Sequence, residues 1–507
     1  MEDTIAHTRT TPELLFKVLV CMLLIWYLQF LWSRRKLYQH SWKLPGPFGL
    51  PLIGNALHFV GSPYDIFTSI MKMFNEYPSI FRVWIGSRLF YAVSEPKHYE
   101  ILLSRCMSKF DLYKHGEELT GHGLVTAPVD KWKKHRKLIM PTFNQRILDG
   151  YVEIFSEQSE ILVDQLKKLA GKGEFDAFEV ISKCTVDMIC ETAMGVKVNN
   201  QTTDDKPVSK WIDRILENLF LRAFVLFYQV DANFNLTHRS KVYRDTLRSF
   251  HEFCGSVINE RKLLFEKEKT RYYESVDFIG RPNKKIFLDY LMEISAYENK
   301  FTEMQWGDEV NAMIIAGSDT TASTNAFVFM MLGLHKDLQK EAYEEVIEVV
   351  GPDRAVERDD LPKLQYMDRF IKETLRLFPV ISLFGRVIEE DVDLGDHLVP
   401  AGASVVFGIL KTHTDEKYWP DPFKFDPDRF LPEEVAKRHP YAYMPFSLGP
   451  RNCIGAKYAT MAMKTMLATV LKTFKVSTPY RSVQDIVLKS NLFLRPRDGH
   501  KVSLELR

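Results

Sequence analysis

The chain has 507 residues, 46% of them hydrophobic, so there is ample apolar material for a large core. Lys and Arg number 67 against 66 Asp and Glu, a formal net charge of +1 that gives no basic surplus for a nucleic-acid partner. The six cysteines (Cys21, Cys106, Cys184, Cys190, Cys254 and Cys453) are too scattered for a dense disulfide framework, which favours a reducing compartment. Cys184 and Cys190 lack the close spacing of a zinc pair and read as helix core.

The chain begins with an apolar run from Leu14 to Trp32, broken only by Lys17 and Gln29 and long enough to span a bilayer. Acidic Glu2 and Asp3 precede it, and Arg34, Arg35 and Lys36 follow. A cleaved secretory signal has the opposite charge order, so residues 1–37 read as an uncleaved anchor with a basic stop, the bulk of the chain remaining cytosolic. The run Leu44-Pro-Gly-Pro-Phe-Gly-Leu-Pro51 restricts its backbone to extended and turn conformations, and residues 38–55 read as a stiff hinge. No linker or repeat divides the remainder, and residues 56–507 are expected to form one domain.

Ile80–Ile85 and Leu89–Val93, separated by Gly86-Ser-Arg, read as a hairpin. Helical periodicity covers 131–140, 153–170, 177–194, 241–265, 303–335, 337–350 and 363–378, a mainly α chain with a small β-sheet portion. The polar stretch 199–207 and the charged stretch 266–285 read as exposed loops. Within these helices Trp132 and Arg136 stand at i and i+4, and Glu373 and Arg376 at i and i+3. Taken alone, the first pair fits an exposed basic helix and the second a solvated surface pair. A polar run, Ala316-Gly-Ser-Asp-Thr-Thr321, interrupts the most apolar helix, and packing alone could account for it.

Near the C-terminus lies Phe446-Ser-Leu-Gly-Pro-Arg-Asn-Cys-Ile-Gly455. A lone intracellular cysteine is usually a small buried apolar residue, but here its neighbours are those an iron-bound thiolate requires. Gly449 and Gly455 permit a sharp turn and close approach of amide N–H groups to the sulfur. Phe446 would cover the site, and Arg451 offers a guanidinium suited to a haem carboxylate.

The spacing aromatic, two residues, Gly, one, Arg, one, Cys, one, Gly resembles the signature of the cytochrome P450 haem-thiolate monooxygenases. The resemblance extends from the anchor to about Asn491. Tyr418-Trp-Pro-Asp-Pro422 and Thr185–Gly195 look most like the microsomal family 4 branch. It implies the cytochrome P450 fold preceded by one transmembrane helix, with Cys453 the axial ligand of haem b. Trp132, Arg136, Arg386 and Arg451 would serve the haem propionates, and Glu373, Arg376 and Arg429, in Phe425-Asp-Pro-Asp-Arg-Phe430, a buried structural cluster. Gly317 and the nearby hydroxyls would loosen the helix ladder, Thr320 would hydrogen-bond the reacting oxygen, and Asp319 would connect it to solvent.

The implied setting is the endoplasmic reticulum membrane, with electrons from NADPH through NADPH–cytochrome P450 reductase and with cytochrome b5 as a further donor. Lys133, Lys134 and Lys137 would form a basic docking face for that donor. Several branch members have Glu where this chain has Ala316, and they attach the haem through an ester; with no carboxylate at Ala316 no such link is expected, and the associated restriction to terminal C–H bonds does not carry over. The substrate is expected to be a lipophilic small molecule: a fatty acid, a terpenoid or hormone-like compound, or a xenobiotic. Phe110, Tyr113, Leu124, Phe220, Phe224, Ile315, Val380 and Phe384 fall in stretches that line the pocket in relatives, or in ordinary core. Two other readings stand beside the monooxygenase: a haem-thiolate isomerase or dehydratase acting on a peroxide, against which the Asp319-Thr320 pair argues, and a haem protein that binds ligands without catalysis.

Overall fold

The computed structural model describes residues 2–203, 206–274, 286–298 and 301–507. Its centre is the helix Glu303–Leu334, started by a capping box in which the Thr302 side chain accepts from Gln305 N and Gln305 answers at the Thr302 amide. From Val310 to Gly333 nearly every side chain of this helix is buried, so its stability comes from packing on all sides rather than from one amphipathic face. It packs along the helix Ala177–Met194, which Asp176 caps through Phe178 N at 3.0 Å and Gly195 ends at φ +68°. Helices Val152–Lys167 and Ala456–Thr473 pack on each other and complete the main core.

A smaller sheet has four strands in the order Ile80–Ile85, Arg88–Val93, Ser404–Gly408, Leu383–Val387. The first pair is the expected hairpin, turned at Gly86 (φ +59°) with Ile80 opposite Val93. Arg88–Val93 then runs parallel to Ser404–Gly408, with Phe90 opposite Ser404, and Leu383–Val387 closes antiparallel, with Leu383 opposite Gly408. This last strand carries Arg386 toward the main body.

The N-terminal helix Glu2–Ser33 contains a stretch, Glu13–Ser33, of mean hydropathy 2.2 with none of it buried, long and apolar enough to cross a membrane. The proline-rich residues do not form a free spacer. Leu44 is buried, Pro45 O accepts from Arg82 N at 2.9 Å, and the Asn55 side chain bridges Trp84 N (2.8 Å) and Phe48 O (2.8 Å), so this segment is laid against the hairpin.

All seven expected helices are present, the one at 241–265 running on to Glu274, but among the described residues five further helices of ten residues or more were hidden from periodicity: Pro63–Glu76, Pro96–Arg105, Val208–Phe224, Phe287–Glu298 and Ala456–Thr473. The two expected exposed loops differ from expectation. Asn200 and Gln201 are buried because their amides donate to Asp187 at 2.7 and 2.9 Å, and the charged stretch is helical as far as Glu274; residues 275–285 lie outside the described residues. All six cysteines are free, with Cys184 and Cys190 in helix core.

Candidate functional site

Cys453 sits just before the N-terminus of helix Ala456–Thr473, where unsatisfied amides and the helix dipole favour an anion. Its own amide donates to Phe446 O at 2.9 Å, closing the loop into a tight turn. Gly449 has φ +78°, and a Cβ there would lie 2.8 Å from Leu103 O, so only glycine fits. Gly455 is different: its φ of −89° suits any residue and an added Cβ would stand 3.9 Å from the sulfur, so what it contributes is its N–H, which draws the thiol pKa down. Arg136 draws it down as well, while burial pushes it up more strongly, and the Cys453 residue is exposed.

Arg136 stands against the cysteine loop. Its guanidinium is committed to Asn452, donating to the carbonyl at 2.7 Å and to Oδ1 at 2.6 Å, which braces the cysteine loop from the side. Trp132 is buried, with Arg451 Cζ 4.5 Å and Arg136 Cζ 5.7 Å from the ring centroid. Lys131, Lys133, Lys134 and Lys137 on the same helix are exposed.

Beneath the loop, Glu373 and Arg376 form a fully buried bidentate pair with both contacts at 2.7 Å. Arg429 Nε stands 3.5 Å from Glu373 Oε1, and Asp426 N donates to the same oxygen at 3.0 Å. Burial pushes the Glu373 carboxyl up, against the pull of Arg376 and Arg429. His413, which sequence reasoning missed, joins this cluster to the loop. Its Nδ1 faces Arg376 O at 3.2 Å and its Nε2 accepts from Met444 N at 3.0 Å, which assigns the proton to Nδ1, and burial holds its pKa down at about 3.

The polar run of the central helix does not loosen the ladder. Helix continues unbroken through Ala316–Thr321, and the hydroxyls bond back one turn: Ser318 to Ile314 O and Thr320 to Ala316 O, each at 2.6 Å. Gly317 is there for packing, since a Cβ would lie 2.7 Å from Ile189 Cδ1 of the adjoining helix. Ala316 is exposed, between buried neighbours Ile314, Ile315, Ser318 and Asp319, so one side of the helix is open at that point. Asp319 is not connected to solvent but buried, its Oδ2 accepting from Arg495 Nη2 at 2.6 Å while Arg495 Nη1 donates to Ser323 Oγ at 2.8 Å. Burial raises its carboxyl to about 6 against the pull of Arg495. Nearly three turns earlier, buried Glu309 accepts from His135 Nδ1 (2.6 Å) and Leu124 N (3.1 Å), and Asp308 accepts from His122 N (2.9 Å), tying residues 122–124 to the helix.

Residues expected around a substrate fall into three packed groups. Ile315, Val380 and Leu124 belong with the main core; Phe110, Phe220 and Phe224 with a cluster between the sheet and helix Val208–Phe224; Phe384 stacks on Phe407 at 4.8 Å. Tyr113 meets Phe110 edge-on at 5.1 Å.

A thiolate-bound haem would need a cysteine ligand, an open helix face and cations for its two carboxylates, and the residues present fit it. The telling observation is Arg451: Nη2 donates to Ala127 O at 3.0 Å, but Nε and Nη1 are buried without a partner. Arg386 is likewise buried, its one recorded hydrogen bond running from Nη1 to the adjacent Gly385 O at 2.9 Å. A cysteine just before a helix N-terminus, in the same loop as an arginine with two unpartnered buried nitrogens, fits a haem-thiolate protein.

The cytochrome P450 family pattern matches residues 44–504, and the chain belongs to that family of haem-thiolate monooxygenases. It is 32% identical to cytochrome P450 4c3 of Drosophila melanogaster over 488 residues, covering 94% of this chain and 91% of that protein. Similarity to 4c21 of Blattella germanica is 36% (88% and 89% covered) and to human 4V2 33% (93% and 92% covered), which supports the family 4 branch. Among solved structures, the haem domain of cytochrome P450DA superposes with a TM-score of 0.77 at 22% identity, covering 92% of this chain and 98% of that one, a likeness of fold.

Proposed function

We propose that this chain is a membrane-anchored monooxygenase of the endoplasmic reticulum, in which residues 1–37 are the anchor, 38–55 the proline-rich segment and 56–507 the catalytic domain. Cys453 would ligate the haem iron, and the observation that carries this is its position just before a helix N-terminus, exposed, with Arg136 near enough to draw its thiol pKa down. When bound, haem supplies the dioxygen chemistry that inserts one oxygen atom into a C–H bond. Arg386 and Arg451 hold its carboxylates, Trp132 supports Arg451, Arg136 braces the loop through Asn452, Phe446 covers the cysteine side, and Glu373, Arg376 and Arg429 keep the loop's floor in one arrangement.

Thr320 holds a proton at its Oγ on the open side of the helix, and its present bond to Ala316 O can be exchanged for an incoming oxygen acceptor at little cost. Asp319, raised to about 6 by burial while Arg495 holds Oδ2, can take and return a proton near neutrality at Oδ1, which has no partner. Ala316 offers a methyl group, so no ester forms there and the haem is fully extractable by acidified organic solvent. The exposed lysines of helix Val129–Ile139 suit an acidic electron donor, NADPH–cytochrome P450 reductase with cytochrome b5 as a second one, and the many apolar side chains suit a lipophilic substrate. The test is turnover of fatty acids, terpenoids and planar aromatics by the full chain with reductase. The reading expects hydroxylated product that depends on NADPH and reductase. Turnover of a peroxide without either would favour the isomerase, and saturable ligand binding without turnover the non-catalytic protein.

A further inference from the structure

Two adjacent acids near the start of the central helix gather the chain between His122 and His135. Asp308 Oδ2 accepts from His122 N at 2.9 Å, and the two Glu309 oxygens are divided, Oε2 accepting from Leu124 N at 3.1 Å and Oε1 from His135 Nδ1 at 2.6 Å. Glycines make the approach possible: a Cβ on Gly121, at φ +49°, would collide with the Asp308 carboxylate, and one on Gly123 would lie 2.6 Å from Asp308 O. His135 is itself held, its ring centroid 4.6 Å from that of Phe301. Glu309 is fully buried, where a carboxylate oxygen without a donor would be costly, and each of its oxygens has one.

The far end of the segment is tied as well. Ala127 O accepts from Arg451 Nη2 at 3.0 Å, so residues 124–127 bridge from the central helix to the cysteine loop. Within this bridge Gly123 and Thr126 are buried, whereas Leu124 is half-buried and Val125 is exposed. Glu309 and Ala316 are seven residues apart, which puts both on one face of the helix, about 10 Å along its axis. Two apolar side chains are thus suspended on the side of the helix that is open at Ala316, and the length of one buried side chain decides how far from the helix they stand.

Resting on the monooxygenase reading above, we propose that Glu309 is a positioning residue for specificity: it spans Leu124 N and His135 Nδ1, fixes Leu124 and Val125 beside Ala316, and so sets the width of substrate that the site admits. It acts through Leu124 and touches neither substrate nor haem. What matters is its reach rather than its charge. Glu309→Gln keeps that reach, since the amide oxygen can accept from Leu124 N while the amide nitrogen donates to His135 Nδ1, the imidazole proton moving to Nε2. Glu309→Asp keeps the charge but is one methylene short of holding both donors.

The test uses the detergent-purified full-chain holoprotein and two imidazoles whose ring nitrogen binds the haem iron, slim N-butylimidazole and broad N-(naphthylmethyl)imidazole, each titrated by its Soret shift. The ratio of their dissociation constants reports the width of the site without requiring the natural substrate. Glu309→Asp is expected to shift that ratio about tenfold toward the broad ligand, the order that one or two methylenes are worth in an apolar pocket, and Glu309→Gln to leave it within about twofold of wild type. Leu124→Ala should shift it in the same direction, and the double variant Leu124→Ala, Glu309→Asp by less than the product of the two single shifts, because both act at one place. A wild-type ratio in Glu309→Asp or in Leu124→Ala, an equal shift in Glu309→Gln and Glu309→Asp, or strictly multiplicative effects in the double variant overturn the proposal. Glu309→Asp protein that takes up no haem also overturns it and gives the residue to folding alone. Wild-type protein that takes up no haem, or shows no Soret shift with either imidazole, would instead refute the reading on which the inference rests.

Discussion

Arg495, on the short strand Leu494–Pro496, reaches Asp319 in the central helix at 2.6 Å, and both side chains are buried. The contact ties this strand to the position expected to move protons. Arg495 also lies with Cζ 3.5 Å from the Phe178 ring centroid, so three elements meet at one guanidinium. Asp213 adds a like charge that pushes the Asp319 carboxyl up, and is itself engaged by Asn491 at 2.6 Å.

Folding raises the Asp319 pKa from 3.8 to about 6, so the folded state keeps its proton to higher pH than the unfolded one. Its contribution to stability is therefore full below about 4 and lost as pH rises to about 6, a change on the order of 3 kcal/mol. In urea titrations across that window, Asp319→Asn is expected to lack this part of the pH dependence, whatever its absolute stability. A slope equal to wild type would sink the assignment.

His413 has the opposite sign. Its pKa falls from 6.5 to about 3 on folding, so the stability it contributes is present above 6.5 and lost as pH falls toward 3, on the order of 5 kcal/mol at the acid end. His413→Gln should show a shallower acid limb than wild type. It should also bind haem less firmly, because Met444 N and Arg376 O lose their shared partner.

Removing Glu373 strands Arg376 and Arg429 in a dry site, at a cost of roughly 3 to 5 kcal/mol. Glu373→Ala is expected to be recovered without haem. Normal haem content in the purified variant, by the ratio of Soret to protein absorbance, would contradict the structural role of the cluster.

At Gly317 the added bulk of Gly317→Val meets Ile189, and overpacking of this kind costs about 1 to 3 kcal/mol. Ile189→Ala in the same chain should recover part of the loss. Thermal unfolding of the two single variants and the double variant measures the coupling; strictly additive effects would mean that the two positions do not meet.

Where one chemical demand fixes several neighbours, as around Cys453, a short stretch of sequence carries the site, and the i,i+3 spacing of Glu373 and Arg376 already puts both on one face. Hairpin and long helices were legible because period and turn residues agree. What was hidden depends on contacts distant in sequence. Arg136 turns to Asn452 and Arg495 crosses to Asp319, and neither pairing has a local signal. Glu309 and His413 look like any glutamate or histidine until the fold gives them partners. Helices such as Val208–Phe224 begin without a side-chain cap, which leaves periodicity alone to mark them.

The most direct test of the whole account is the carbon monoxide difference spectrum of the reduced full-chain protein, recorded beside Cys453→His. The account predicts the strongly red-shifted Soret band of a thiolate-ligated haem in wild type and its loss in the variant. A wild-type band at the position of histidine- or thiol-ligated haem, unchanged by Cys453→His, would contradict it.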